Sequence, residues 1–236
     1  MVPRPRFVTR DRTTRSFDDV LRIAGFVAVL SACGGHSSAP ATSPSPDASA
    51  EERAIAKARA DSARYPYTAA DIQFMSAMIK HHAQAIVMSR WAPTHDAGPG
   101  VQRLASRIIN AQQDEIASMQ AWLRARRQPV PDATSGPMKM MMNGMEHDML
   151  MPGMLTDDQL KQLDAARGAA FDRAFLTFMI QHHTGAIAMV KELFATYGAV
   201  QDQAVFKFAS DVNVDQTTEV TRMRQMLALL TLGKRP

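Results

Sequence analysis

A block of residues that occurs twice constrains this chain more than anything else in it. Asp71-Ile72-Gln73-Phe74-Met75-Ser76-Ala77-Met78-Ile79-Lys80-His81-His82-Ala83-Gln84-Ala85-Ile86-Val87-Met88 returns as Asp172-Arg173-Ala174-Phe175-Leu176-Thr177-Phe178-Met179-Ile180-Gln181-His182-His183-Thr184-Gly185-Ala186-Ile187-Ala188-Met189. Behind each copy runs a second match, in which Ala105, Ser106, Ile108, Gln112, Glu115, Ile116 and Met119 reappear as Ala209, Ser210, Val212, Gln216, Glu219, Val220 and Met223. The register shifts by three residues between the two matches, as a loop insertion between two helices would produce. The domain is therefore an internal duplication, and each half must fold in the same way.

Each half reads as a helical hairpin. Glu51 to Ala63 has the composition of a short lead-in helix, and Thr68 with Asp71 forms a capping pair for a first main helix reaching about Trp91. A second helix is expected from about Pro99 to Arg127, stopped by Pro129 and Pro131. Thr156 with Gln159 opens a stretch that breaks near Gly168 and continues as the third main helix to just before Gly198. The fourth runs from about Ala199 to Leu230. No segment shows strand alternation. Two duplicated hairpins close most simply into an all-α antiparallel four-helix bundle with a pseudo-twofold axis, residues 65–128 forming one hairpin, 156–236 the other and 129–155 a linker.

The sequence ahead of the bundle reads as an export leader. Residues 1–32 hold six Arg against three Asp, leaving 21 basic and 20 acidic side chains in the rest, so the pI near 9.5 does not describe the folded part. A concentrated basic face for nucleic acid is not expected, and Arg124, Arg126 and Arg127 read as cations on the last turn of a helix. The only cysteine, Cys33, follows Leu30-Ser31-Ala32 at the end of an apolar run from Ile23, too short to span a bilayer but suited to a signal-peptide core. This resembles a lipobox. Cleavage before Cys33 and lipidation of its thiol would anchor the protein to a membrane outside the cytoplasm. Residues 33–64 would then supply the lipidated cysteine, a Ser/Ala/Pro-rich tether holding His36, and the lead-in helix.

The repeated stripe carries the chemistry. At 100° per residue Asp71, Met75, Met78, His82, Ala85 and Ile86 share one face, so His82 points to the core while His81 sits at the margin beside Phe74 and Met88. Met78 and His82, four apart, can approach one ion; Met179 and His183 repeat the pair, and Met78 with His81 is a competing clamp. Gln112, Glu115 and Met119 line one stripe of the second helix, as Gln216, Glu219 and Met223 do on the fourth. Each hairpin is expected to offer His, Met and Glu around one site, with His182 and Met189 in the second repeat standing for His81 and Met88. Thioethers select Cu(I) and similar soft ions, and a folded part without cysteine suits a compartment where thiols oxidise. Glu115 and Glu219 could hold metal or simply hydrogen-bond, whereas Asp71 and Asp172 read as residues that cap helices or bond to backbone and not as metal ligands. Methionines at such spacing also serve as core filler. The linker is harder to read as core: eight methionines lie between Met138 and Met154, and Met140, Met141, Met142, Met145 and Met149 with His147 form a second candidate for soft ions.

On Phe74 to Met88, Phe171 to Met189, both Gln-x-x-Glu stretches and Met151-Pro152-Gly153-Met154-Leu155, the chain resembles the CopM-like copper-binding family, over about Thr68 to Leu230. The resemblance implies a ferritin-like helical bundle outside the cytoplasm, with copper or silver binding. Together these readings lead to a lipid-anchored protein that binds Cu(I), and Ag(I) as well, for sequestration, delivery or resistance, with a copper-transport protein as a partner. It reads as a binding protein, not an enzyme. The rivals are a cuprous or ferrous oxidase and a metal-free envelope scaffold.

Overall fold

The computed structural model describes residues 49–142 and 145–234. The expected leader 1–32, Cys33, His36 and the tether up to residue 48 lie outside the described residues. Helix α1 (Ala50–Arg64) opens with a capping box between Ser49 and Glu52. α2 (Ala69–Arg90) follows, capped by Thr68 and Asp71, and a short 3-10 turn at Ala92–Thr94 leads into α3 (Pro99–Ala125). Strands β1 (Met138–Met142) and β2 (Met145–Met149) come next, then α4 (Asp157–Ala165), α5 (Gly168–Ala195) and α6 (Gln203–Thr231). α2 packs on α3 and α5 on α6, and α2 and α5 join the two hairpins. The fold is all-α in its body, a ferritin-like antiparallel four-helix bundle. Among the described residues no helix is long and apolar enough to cross a membrane.

The duplicated aspartates lock the hairpins to each other. Val200, at φ 55° in the α5–α6 loop, donates its backbone N–H to Asp71 Oδ1 at 2.9 Å. Gly98, in the α2–α3 loop, donates to Asp172 Oδ1 at 2.9 Å. Each repeat's aspartate thus holds the loop of the other. Both are fully buried, a position a carboxylate tolerates only when such donors satisfy it.

Two sequence expectations change. The methionine linker contains an antiparallel ladder pairing Met138 with Met149, Met140 with His147 and Met142 with Met145. Asn143-Gly144 stands between the strands, the residue pair that two-residue hairpin loops favour, and that turn signal outweighs the weak alternation around it. Helix α6 starts at Gln203 and not near Ala199, because the Asp202 carboxylate accepts the backbone N–H groups of Ala204 and Val205. Arg126, at the C-cap of α3, donates to the Trp122 carbonyl at 3.3 Å, as a cation at the helix end is expected to do, and it also reaches across to α6. Its side chain, 7% exposed, is bonded to Asp202 at 2.5 Å and stacked 4.3 Å over Trp122, tying the end of α3 to the start of α6.

Candidate metal centre

Four imidazoles form a row through the middle of the bundle. His81, His82, His182 and His183 are all fully buried. The His81 and His182 rings lie 3.9 Å apart across the pseudo-twofold axis, with His82 and His183 at 6.3 and 6.1 Å from their sequence neighbours. This corrects the expectation for His81 and His182. They do not sit at the margin; α2 and α5 face each other, so the helix edge that would meet solvent in a single hairpin meets the other repeat instead. His82 and His183 turn toward α3 and α6, where His82 Nε2 lies 2.6 Å from Glu115 Oε2 and His183 Nε2 2.7 Å from Glu219 Oε2. Only the second contact has the alignment of a hydrogen bond. Glu219 therefore orients His183, and Glu115 lies beside His82, both from partly exposed positions.

The ring nitrogens decide what the row can do. A carbonyl or carboxylate oxygen only accepts, so His81, bonded to Pro152 O at 3.0 Å, and His183, bonded to Glu219, each carry their proton on Nε2. In His81, held neutral by burial, that leaves a lone pair on Nδ1. The Nδ1 atoms of all four histidines have no hydrogen-bond partner, nor do the Nε2 atoms of His82 and His182. Burial pushes the His81 pKa down to about 3, with the neighbouring His82 adding to the effect. His182 is held well below its ordinary range by burial and then by His81. Neutral imidazoles with free lone pairs are metal donors, and a carboxylate or carbonyl on the opposite nitrogen is the usual way such a ligand is held.

The thioethers flank this row in two groups. Met78, Met119 and Met189 belong to one apolar cluster with Met75, Met151 and Met154; Met179, Met223 and Met88 belong to the other. Met78 and Met119 of the first hairpin thus stay together, as do Met179 and Met223 of the second, and only Met88 and Met189 are exchanged between the halves. Met78 and Met88 are ten residues apart, roughly 15 Å along a helix axis, so Met88 packs with the methionines of the second repeat and Met189 with those of the first. Among the described residues no three His, Cys, Asp or Glu side chains are arranged to hold an ion by themselves. A metal here would have to draw on sulfur as well as nitrogen.

The loop from Met151 to Leu155 covers His81. Gln84 donates Nε2–H to Leu155 O at 3.0 Å and accepts from Leu155 N at 2.7 Å, while Pro152 O takes the His81 proton. On the facing helix the second repeat has Gly185 where the first has Gln84. A Cβ at Gly185 would lie 1.9 Å from Pro152 O, and Gly153, at φ 79°, would bring one to 2.6 Å from Gln181 O. Backbone touches backbone there, which only glycine permits. The mismatch between Gln84 and Gly185 in otherwise matched repeats was the available signal. Beside the loop a cavity of about 300 Å³ opens between α2 and α5, lined among others by Phe74, Met149, Met151, Met189 and Glu192. Met145 and Met149 of the hairpin are exposed. The side chains of Met140, Met141, Met142 and His147 are outside what the structure describes.

The family described as a domain of unknown function, DUF305, matches residues 71–227. A DUF305 protein from Streptomyces coelicolor, thought to be secreted, is 28% identical in a solved structure with a TM-score of 0.56, covering 70% of this chain and 95% of that one. CopM in its Cu(I)-bound form is also 28% identical, with a TM-score of 0.50 over 66% of this chain and 93% of CopM. A shorter match, 40% identical over 57 residues, is to uncharacterized protein L153 of Acanthamoeba polyphaga mimivirus; it spans 24% of this chain and 38% of that protein.

Proposed function

This chain belongs to the DUF305 family, and from that premise we propose that it is an extracytoplasmic Cu(I)-binding protein that sequesters the ion between its histidine row and the methionines beside it. The observation that carries the reading is the set of four buried imidazoles whose Nδ1 atoms have no partner. Leaving such atoms unsatisfied is costly, and a bound ion offsets the cost. A linear or trigonal soft ion needs two or three donors, so Nδ1 and a thioether suffice where a harder ion would want more. The Cu(I)-bound form of CopM, at 28% identity, supports the choice of ion. Ag(I) has the same preferences and serves as a redox-silent probe.

The exposed Met145 and Met149 provide first capture, the cavity holding Met149, Met151 and Met189 a way in, and the loop at Pro152 the cover over His81. Lipidation at Cys33 would keep this device at a membrane surface, and transfer to a transport protein would use the exposed hairpin. The secreted character ascribed to the Streptomyces coelicolor relative is in line with the leader-like start. Anaerobic Cu(I) titration against a chromophoric chelator tests the reading. Replacing His81 and His182, or His82 and His183, by Gln is expected to lower affinity at least tenfold with helical content retained; unchanged affinity in both would leave the histidines as packing residues. Oxygen uptake on adding Cu(I) or Fe(II) would favour an oxidase instead. Membrane fractionation of Cys33→Ser tests the anchor, and recovery with the membranes would overturn it.

A further inference from the structure

The duplication supplies an internal control for a groove that the histidine chemistry does not use. Between α3 and α6 a depression of about 470 Å³ is lined by Gly100, Arg103, Leu104, Arg107, Arg222 and Met226, with Ser106 at its edge. None of the three guanidinium groups takes part in a hydrogen bond or ion pair among the described residues. Arg103 and Arg107 are four apart on one helix, where like charges repel.

The matching positions of the other repeat are built differently. Arg103 and Arg107 correspond to Lys207 and Asp211, which form an ion pair along α6. Arg222 corresponds to Ser118, whose hydroxyl bonds to Asp114 O. Leu104 and Met226 correspond to Phe208 and Trp122, and these rings pack in the core, Phe208 against Phe74 and Trp122 against Tyr67. At the matching positions one repeat therefore carries core-packed aromatic rings and a Lys–Asp ion pair. The groove itself is open, floored by Leu104 and Met226, and carries three unneutralised guanidinium groups.

We propose that this groove binds a phosphate-bearing anion. Guanidinium forks match phosphoryl oxygens in pairs, and a concave site of this size suits a compact polyoxyanion better than an extended acidic chain. The phosphate could belong to a soluble molecule or to an anionic lipid headgroup, whose glycerol end would meet Leu104 and Met226.

The test uses the full chain carrying Cys33→Ser, so that a lipid anchor does not contribute. Pyrophosphate is titrated while the methyl resonances of Leu104 and Met226 are followed, and binding to phosphatidylglycerol vesicles is compared with binding to phosphatidylcholine vesicles. Saturable binding of pyrophosphate alone identifies a soluble ligand, and selective binding to phosphatidylglycerol identifies a headgroup. Either supports the groove if Arg103→Gln/Arg107→Gln/Arg222→Gln weakens binding at least tenfold while Arg90→Gln/Arg173→Gln leaves it unchanged. Arg103→Lys/Arg107→Lys/Arg222→Lys, which keeps the charge and loses the forks, is expected to fall between them. The proposal is overturned if neither probe saturates, or if the groove and control variants lose affinity equally, since that would be diffuse charge attraction.

Discussion

A histidine at the centre of an apolar bundle is stable only if its charge is suppressed and its ring nitrogens are occupied. Burial does the first for His81 and His182, and a proton acceptor occupies one nitrogen of His81 and one of His183. The remaining nitrogens define the centre. Glu115 and Glu219 act on it from one step away, so Glu115→Gln/Glu219→Gln should keep the fold and lower Cu(I) affinity about 10–100-fold, read by chelator competition; an unchanged affinity would make the carboxylates incidental. That His82 faces the core could be read from helical periodicity in one hairpin. That His81 is buried too could not, because its surroundings come from α5, and no pattern within α2 encodes the other repeat's approach.

Among the elements, the loop from Met151 to Leu155 couples linker and bundle. Gly185→Ala would place a methyl group on the Pro152 carbonyl, and overpacking of this kind costs about 1–3 kcal/mol. Urea unfolding should show that loss, together with faster amide exchange at Met154 and Leu155, and wild-type exchange there would mean the loop does not depend on the close approach. Deleting Met138 to Met149 is expected to reduce the number of Cu(I) ions bound and to leave helical ellipticity in place, since the ladder pairs only with itself. Loss of all copper binding would assign the site to the hairpin. Helix positions were legible because capping residues such as Thr68, Thr156 and Asp71 mark them locally. The hairpin was obscured by its methionines, which favour no regular structure strongly enough to compete with the reading of a flexible tract.

At the level of the whole molecule, duplication produces a core of two equivalent halves with the histidines between them, and this links stability to pH. His81 is lowered to about 3 in the fold from 6.5 when unfolded, and His182 shifts the same way. Between those values the unfolded chain binds more protons, so stability is full above pH 6.5 and falls as the pH drops toward 3. Each of the two residues contributes a slope of about 1.4 kcal/mol per pH unit once the pH is well below 6.5. Urea midpoints should decline between pH 6.5 and about 5, where carboxylates are still ionised, and His81→Gln/His182→Gln should flatten the decline; an equal slope in the variant would place its origin elsewhere. Overall architecture was legible because the repeat itself was, and the exchange of Met88 and Met189 between halves was not, since it follows from how far apart two turns of a helix lie once the second hairpin is in place.

The central claim is that the free Nδ1 atoms of the histidine row receive the metal. Imidazole ¹⁵N resonances of the histidine-labelled full chain, recorded before and after one equivalent of Cu(I) under anaerobic conditions, report on it atom by atom. The expected result is a large shift of Nδ1 resonances from the His81, His82, His182 and His183 set, with Nε2 of His183 still protonated and His95, which bonds to Asp164 outside the row, unmoved. Unchanged bundle histidines with copper bound elsewhere would contradict it.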